Sequence, residues 1–225
     1  MELIQQDPDI DAYLAAGEAV DHEHPRVREV ADRLSAGHPG AHGYAEAAFA
    51  YVRDAIPHSM DSGDPRVTWR ASDVLELRTG ICYAKTVAYA ALLRARGIPA
   101  ALCYQRLADD DGSHPVVHGL TAVLLPGERA WARQDPRGNR PGVDTRFSLG
   151  EERLARSVRP ELGEVDYPLL HAEPHPAVLA ALRAARDRPH LDRILPAALE
   201  PIGPEPIGPE PIGPEPIAPE PVRLP

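Results

Sequence analysis

The sequence is poor in several features that define large classes of proteins. It has no run of about 18 apolar residues, so we expect no helix that crosses a membrane. Two cysteines among 225 residues are too few for a disulfide scaffold. Aromatic residues make up only 5%, so alanine, leucine and valine must build most of the core. The first residues form neither a basic nor an apolar segment, and we therefore expect no signal peptide and a cytoplasmic protein.

Acidic residues outnumber basic residues, 34 to 24, and lysine is nearly absent. The net charge is −10 at pH 7, which argues against nucleic acid as a partner. Among 24 basic residues only Lys85 is a lysine.

The C-terminal end has low complexity. Residues 202–221 are four copies of the pentapeptide Ile-Gly-Pro-Glu-Pro, with Ala218 replacing the last glycine. Proline lacks a backbone N–H, and one isoleucine in five residues cannot offset the entropy of forming a packed core. We therefore predict a folded domain over residues 1–195 and a disordered proline- and glutamate-rich tail over residues 196–225. The tail is either simply solvated or a ligand for a proline-recognising partner.

Hydrophobic periodicity predicts helices first and an antiparallel sheet after them, which is an α+β architecture. The predicted helices cover residues 25–35, 41–56, 73–78, 82–96 and 176–186. The helix at 73–78 is expected to begin with a capping box formed by Asp73 and Glu76. The predicted strands cover residues 100–107, 116–125 and 130–135. Gly97 suits the left-handed position that follows a helix.

Cys82 stands at the start of the predicted helix 82–96, after Gly80. A helix N-terminus favours the thiolate, which is the form of cysteine that attacks a carbonyl carbon. Such a nucleophile needs a base, and the base needs a third group to orient it. His118 is the only histidine inside a predicted strand, among apolar neighbours. We therefore take Cys82 as the candidate nucleophile and His118 as the candidate base.

A hairpin argument selects the third group. Pro126-Gly127 predicts a tight turn between the last two strands. Either a two-residue or a four-residue loop there places His118 directly opposite Asp135, with Cβ atoms about 4.5–5.5 Å apart. A three-residue loop would break that pairing. Asp135 is thus the candidate orienting acid.

The candidate oxyanion site requires hydrogen-bond donors near the nucleophile. The backbone N–H of Cys82 is free at a helix start and is the first donor that we expect. The second donor is left open by the sequence, with the side chains of Gln105 and Trp69 as the two candidates.

The sequence around these residues resembles a known family. Residues 79–85 read Thr-Gly-Ile-Cys-Tyr-Ala-Lys, and residues 91–100 read Ala-Leu-Leu-Arg-Ala-Arg-Gly-Ile-Pro-Ala. Both segments resemble the core of the transglutaminase-like superfamily and its bacterial members. The strand histidine, matched by His118, and an aspartate shortly after a tryptophan, matched by Asp135 after Trp131, extend the resemblance over residues 52–139.

The resemblance implies a papain-like fold and acyl-transfer chemistry by Cys82, His118 and Asp135. The acyl group of an amide or ester, in a peptide, a protein or a small molecule, would pass to cysteine and then to water or an amine. No cofactor or metal is implied. Many members carry an aromatic residue two positions after the histidine, and Leu120 departs from that pattern, so we expect a different substrate groove.

Other interpretations compete with this one. A catalytically silent binding module could keep the groove and use the tail to recruit a partner, and a thioester-dependent acyltransferase is a third class, although no carrier pocket is evident. Cys103 lies in mid-strand and is predicted to be a core residue. The histidines at 22, 24, 38 and 42 could be metal ligands, but they follow no fixed ligand spacing, and we predict no metal site.

Overall fold

The structure, a computed structural model, describes residues 1–200. Five helices precede the main sheet along the chain and two follow it, which confirms the predicted α+β class. The helices are Pro25–Gly37 (α1), Ala41–Ala55 (α2), Ser59–Ser62 (α3), Ala71–Leu77 (α4), Cys82–Arg94 (α5), Pro176–Ala184 (α6) and Arg188–Ile194 (α7). The strands are Ile4–Gln5 (β1), Ala100–Leu107 (β2), Val116–Val123 (β3), Ala132–Gln134 (β4), Val165–Asp166 (β5) and Leu169–Leu170 (β6).

The main sheet is antiparallel, with the strand order β4-β3-β2-β5. β2 has the predicted bounds, whereas β3 and β4 are shorter than the predicted 116–125 and 130–135. β5 extends the sheet beyond β2, and β1 pairs in parallel with β6 in a separate two-stranded sheet. Strands of two residues have no periodicity that a sequence pattern could reveal, so the sequence predicted none of these three.

The central helix is α5, and every residue of it from Tyr83 to Arg94 is buried. It packs against α1, α2 and α4 on one side and against β2 and β3 on the other. A helix that is covered on all sides has no single apolar face. Gly119 in β3 permits the close approach, because a Cβ atom there would lie 2.9 Å from Cδ1 of Tyr83. The start of α5 is thereby held directly against the sheet.

The helix ends show which boundaries could be predicted from neighbouring residues alone. α5 begins at Cys82 as predicted and ends at Arg94, after which Gly97 takes the predicted left-handed conformation with φ of +67°. The capping box predicted for residues 73–76 is wrong, since α4 begins earlier, at Ala71. Its first turn is capped by Asp21, whose carboxylate accepts hydrogen bonds from the N–H and hydroxyl of Ser72. A cap supplied from so far along the chain leaves no local signal.

The last described residues remain in contact with the domain. The Pro196 carbonyl accepts a hydrogen bond of 2.9 Å from the N–H of Val117, and Leu199 is buried. The boundary at residue 195 therefore stays a prediction, and residues 201–225 of the predicted tail lie outside the described residues. Within residues 1–200, no helix is long and apolar enough to cross a membrane.

Candidate active site

A cavity of about 550 Å³ opens at the N-terminal end of α5. Cys82 and His118 both line it, together with His58 and Arg137. The guanidinium of Arg137 is paired with the carboxylate of Asp61 at 2.9 and 3.1 Å. His114 lines the cavity as well, so the cavity combines a thiol with three imidazoles and with guanidinium groups that are paired with carboxylates.

Cys82 is the first residue of α5 and is partly exposed. The preceding residue provides no side-chain cap, and the N–H groups of a first turn have no partner within the helix. Gly80 allows the chain to enter the helix closely, because a Cβ atom there would lie 2.9 Å from Cβ of Ala84 and 3.1 Å from Oγ1 of Thr68. The sequence Gly-Ile-Cys thus brings a thiol and free backbone donors to the cavity.

His118 and Asp135 are hydrogen-bonded, with 2.8 Å between Nε2 of the imidazole and Oδ2 of the carboxylate. Because Nε2 is used by the carboxylate, Nδ1 is the ring nitrogen left for Cys82. Both side chains are buried. The structure therefore brings together the three residues that the sequence selected.

The register that led to this pair is nevertheless wrong. The predicted hairpin placed His118 directly opposite Asp135, whereas β3 and β4 pair Val123 with Ala132 and Thr121 with Gln134. The turn itself forms, with a hydrogen bond from the N–H of Glu128 to the carbonyl of Leu125, but two extra residues follow it before pairing begins. A shift of two residues keeps both side chains on the same face of the sheet.

Asp135 lies one residue beyond β4 and is held by backbone donors. The N–H of Arg137 donates to Oδ1 at 3.1 Å, and the N–H of Ala155 donates to Oδ2 at 3.0 Å. Burial alone would raise the pKa of Asp135, but the charge of His118 and these hydrogen bonds lower it below its ordinary value. The carboxylate is therefore ionised and fixed in orientation.

The electrostatics of His118 follow from the same contacts. Burial lowers the pKa of His118, yet the charges of Asp135 and of the Cys82 thiolate outweigh burial and raise that pKa to about 10. An imidazolium is thus stabilised between a carboxylate and a thiol. An imidazolium in this position can stabilise a neighbouring thiolate and can give a proton to a leaving group.

Neither of the two candidates for a second oxyanion donor lines this cavity. The amide of Gln105 donates to Asp166 at 2.9 Å, in a separate charged pocket. The guanidinium groups of Arg70 and Arg183 lie 4.4 and 4.7 Å from the centroid of the Trp69 ring. Both side chains have structural partners away from Cys82.

Sequence reasoning missed two residues near the site. His58 is buried, lines the cavity and follows the Ile-Pro segment at the end of α2, where no motif distinguished it. Lys85 is fully buried one turn after Cys82, and its Nζ donates to the carbonyls of Ile56 at 2.5 Å and Arg53 at 3.3 Å. The signal for Lys85 was its uniqueness, since a lone lysine in an apolar helix is unusual.

The remaining cysteine and histidines have structural surroundings. Cys103 is buried as predicted, and burial raises the pKa of its thiol to about 12. His24 caps α1 by accepting from the N–H of Arg26, while His22 and His38 contact main-chain carbonyls. In the described part of the chain, no group of three or more histidine, cysteine or acidic side chains is arranged to hold a metal ion.

Comparison with known proteins gives a family match. The model of the transglutaminase-like superfamily matches residues 28–136, a span that contains Cys82, His118 and Asp135. Together with the observed helices and antiparallel sheet, this match confirms the predicted papain-like, transglutaminase-core fold class. The chain matches none of the curated proteins.

Several solved structures are also similar over part of their length. A candidate cysteine protease from Cytophaga hutchinsonii is 20% identical, with a TM-score of 0.48, and the match covers 58% of this chain and 43% of that one. The periplasmic domain of TgpA from Pseudomonas aeruginosa is 25% identical, with a TM-score of 0.43 and coverages of 57% and 47%. Red sea bream transglutaminase is 13% identical, with a TM-score of 0.40 and coverages of 58% and 32%. The match thus spans less than half of each of these proteins.

Proposed function

Because residues 28–136 belong to the transglutaminase-like superfamily, we propose that this protein is a cysteine-dependent acyl-transfer enzyme acting on an amide or ester. At the level of the superfamily, the match supports a cysteine-type enzyme. The observation that carries the proposal is the 2.8 Å hydrogen bond between His118 and Asp135 in the cavity that Cys82 also lines. The substrate is a peptide, a protein or a small amide or ester.

In the first half-reaction, Sγ of Cys82 attacks the acyl carbon of the substrate. The carbonyl π electrons move to oxygen, where the free N–H of the α5 first turn stabilises the negative charge. As the tetrahedral intermediate collapses, the C–N or C–O bond breaks and the His118 imidazolium gives its proton to the leaving amine or alcohol. The product is a thioester on Cys82, with neutral His118 still bound to Asp135.

In the second half-reaction, neutral His118 takes a proton from water or an amine as that nucleophile attacks the thioester carbon. The C–S bond breaks, and the thiolate and the imidazolium are regenerated. Water gives a carboxylic acid and an amine gives a new amide. Since Lys85 is the only lysine and is fully buried, a lysine acceptor for transamidation would have to come from another molecule.

The proposal is tested by the rate of iodoacetamide alkylation against pH, followed by intact mass. We expect native protein to gain one adduct, at Cys82, because Cys103 is buried and its thiol stays protonated. Alkylation of Cys82 should remain fast below roughly pH 7, and the His118→Ala variant should lose this reactivity. Cys82→Ser should gain no adduct until it is denatured, which then exposes Cys103.

The same protein is then mixed with p-nitrophenyl acetate, an activated ester. Acetylation of Cys82 that disappears in Cys82→Ser and falls steeply in His118→Ala supports the acyl-transfer function. An ordinary thiol pH profile that is unchanged in His118→Ala would instead contradict it. That result would favour the silent binding module.

A further inference from the structure

His58 is an unexplained polar residue in the wall of the cavity. Its side chain is more than nine-tenths buried, and Nδ1 of its ring has no hydrogen-bond partner within residues 1–200. A buried donor or acceptor without a partner is destabilising, and native proteins rarely retain one without a use. His58 lines the same cavity as Cys82 and His118, and Nε2 of its ring is not among the buried atoms without a partner, so a molecule in the cavity is the partner that we expect for the imidazole.

The backbone fixes His58 beside the nucleophile. His58 forms an isolated parallel bridge with Gly80, and the N–H of the next residue, Ser59, donates to the Gly80 carbonyl at 3.0 Å. Gly80 is two residues before Cys82, so the segment carrying His58 runs alongside the chain that enters α5. The position of the ring relative to Cys82 therefore does not depend on a flexible loop.

The charge state of His58 is set by its surroundings. Burial lowers the pKa of His58 well below its ordinary value, and the nearby positive charges of Arg137, Lys85 and His118 lower it further, against a smaller opposing effect of Asp135. A neutral imidazole carries one N–H donor and does not compete with His118 for the thiol proton. Such a group is suited to a neutral oxygen that becomes negative during the reaction.

We propose that His58 is the second donor of the oxyanion site, where its ring N–H binds the acyl oxygen of the substrate together with the backbone N–H of Cys82. This inference rests on the proposed function. It assigns to His58 the role for which the sequence offered Gln105 and Trp69, both of which are engaged elsewhere. Its hydrogen bond to that oxygen would strengthen as negative charge develops there.

The test compares two reactions of the same thiol. Acylation by p-nitrophenyl acetate passes through a tetrahedral oxyanion, whereas alkylation by iodoacetamide displaces iodide at a saturated carbon and creates no oxyanion. Loss of one oxyanion donor costs about 10²–10³-fold in rate. His58→Leu, which fills the space without a donor, should lower the acylation rate constant by about that factor and change alkylation less than about twofold. His58→Gln, which restores an N–H donor, should stay within about tenfold of wild type in both reactions.

A matched control is His171→Leu, at an equally buried histidine outside this cavity that is hydrogen-bonded to Gln6. It should change neither rate. If His58→Leu lowers both reactions equally, or neither, the role assigned to His58 is wrong. If wild-type protein is not acylated at all, or if alkylation does not depend on His118, the proposed function itself fails and His58 falls with it.

A second measurement covers the case in which His58→Leu does not fold. N-acetylglycinal, an aldehyde, adds to the Cys82 thiol and places its oxygen in the oxyanion site. In ¹⁵N-histidine-labelled wild-type protein, the His58 resonance, assigned from its absence in His58→Gln, should shift on adduct formation. A His58 resonance that does not move while the adduct forms would overturn the assignment.

Discussion

Asp135 holds His118 from a diagonal position rather than from directly across the sheet. Extending the register of β3 and β4 by one residue places Asp135 opposite Leu120, two residues along from His118. Diagonal neighbours have Cβ atoms up to about 7–8 Å apart, so the 2.8 Å contact needs both side chains to lean toward each other. The N–H groups of Arg137 and Ala155 donate hydrogen bonds to the carboxylate and hold it in that orientation. The orientation of His118 therefore depends on Asp135 and its backbone donors, not on the strand ladder.

Replacing Asp135 by asparagine tests this dependence. Asp135→Asn removes the charge that favours the imidazolium and turns one acceptor oxygen into a donor facing existing N–H donors. The pKa of His118 should fall, and acetylation of Cys82 by p-nitrophenyl acetate should slow by about 10²–10⁴-fold. The rate is measured by intact mass at pH 7. Asp109 is an exposed acid at the same cavity, and Asp109→Asn is therefore the control for the loss of one charge. Its acetylation rate should stay near that of wild type. Equal rates in the Asp135→Asn and Asp109→Asn variants would contradict the orienting role of Asp135.

Three features show how much of the candidate site could be predicted from the sequence. The start of α5 at Cys82 and the left-handed Gly97 were predictable because their signals are local. The hydrogen-bonded pair of His118 and Asp135 was predicted from the wrong strand register. The pair still forms because the register differs by two residues, an even number, which leaves both side chains on the same face of the sheet. With one extra residue, the carboxylate would lie on the opposite face of the sheet.

His58 and the cap of α4 could not be predicted, for a shared reason. His58 reaches the cavity only through a bridge to Gly80, and α4 is capped by Asp21 from a distant part of the chain. Both depend on tertiary contacts that carry no periodicity and no characteristic spacing. The short strands β1, β5 and β6 were missed likewise, since only their partners define them.

The stability of the fold should depend on pH through His118. Its pKa is raised to about 10 in the folded protein from an ordinary value of 6.5, so the folded state binds more protons between these values. The stabilising contribution is then complete below about pH 6.5 and is lost as the pH rises toward about 10. In proteins that also carry Cys82→Ser, so that the thiol does not titrate, urea unfolding should show the free-energy difference between His118 and His118→Gln shrinking as the pH rises above about 6.5. A difference that stays constant or grows with pH would contradict the raised pKa.

Lys85 should show the opposite pH dependence. Burial, and then the charge of Arg137, lower the pKa of Lys85 to about 7 from 10.5, so the unfolded chain binds more protons between these values. Stability therefore rises with pH in that window for a chain that contains Lys85. The free energy of unfolding of wild type, minus that of Lys85→Met, should therefore increase from pH 7 to pH 10. His118 is present in both proteins, so its contribution cancels in this difference. Equal slopes for the two proteins would show that Lys85 stays protonated in the fold.

The close contact of α5 with β3 should be intolerant of a single methyl group at Gly119. A Cβ atom there would lie 2.9 Å from Cδ1 and 3.3 Å from Cα of Tyr83, which is buried and donates its hydroxyl to the Val117 carbonyl at 2.6 Å. The helix must then move away from the sheet, and Cys82, adjacent to Tyr83, moves with it. We expect Gly119→Ala to lower the free energy of unfolding by about 1–3 kcal/mol and to reduce the dependence of Cys82 alkylation on His118.

The matched control is Gly150→Ala, because a Cβ atom at residue 150 would have no neighbour within 4 Å. This variant should match wild type in urea unfolding and in alkylation. If Gly119→Ala also matched wild type in both measurements, the packing of α5 against the sheet could not be what positions the thiol.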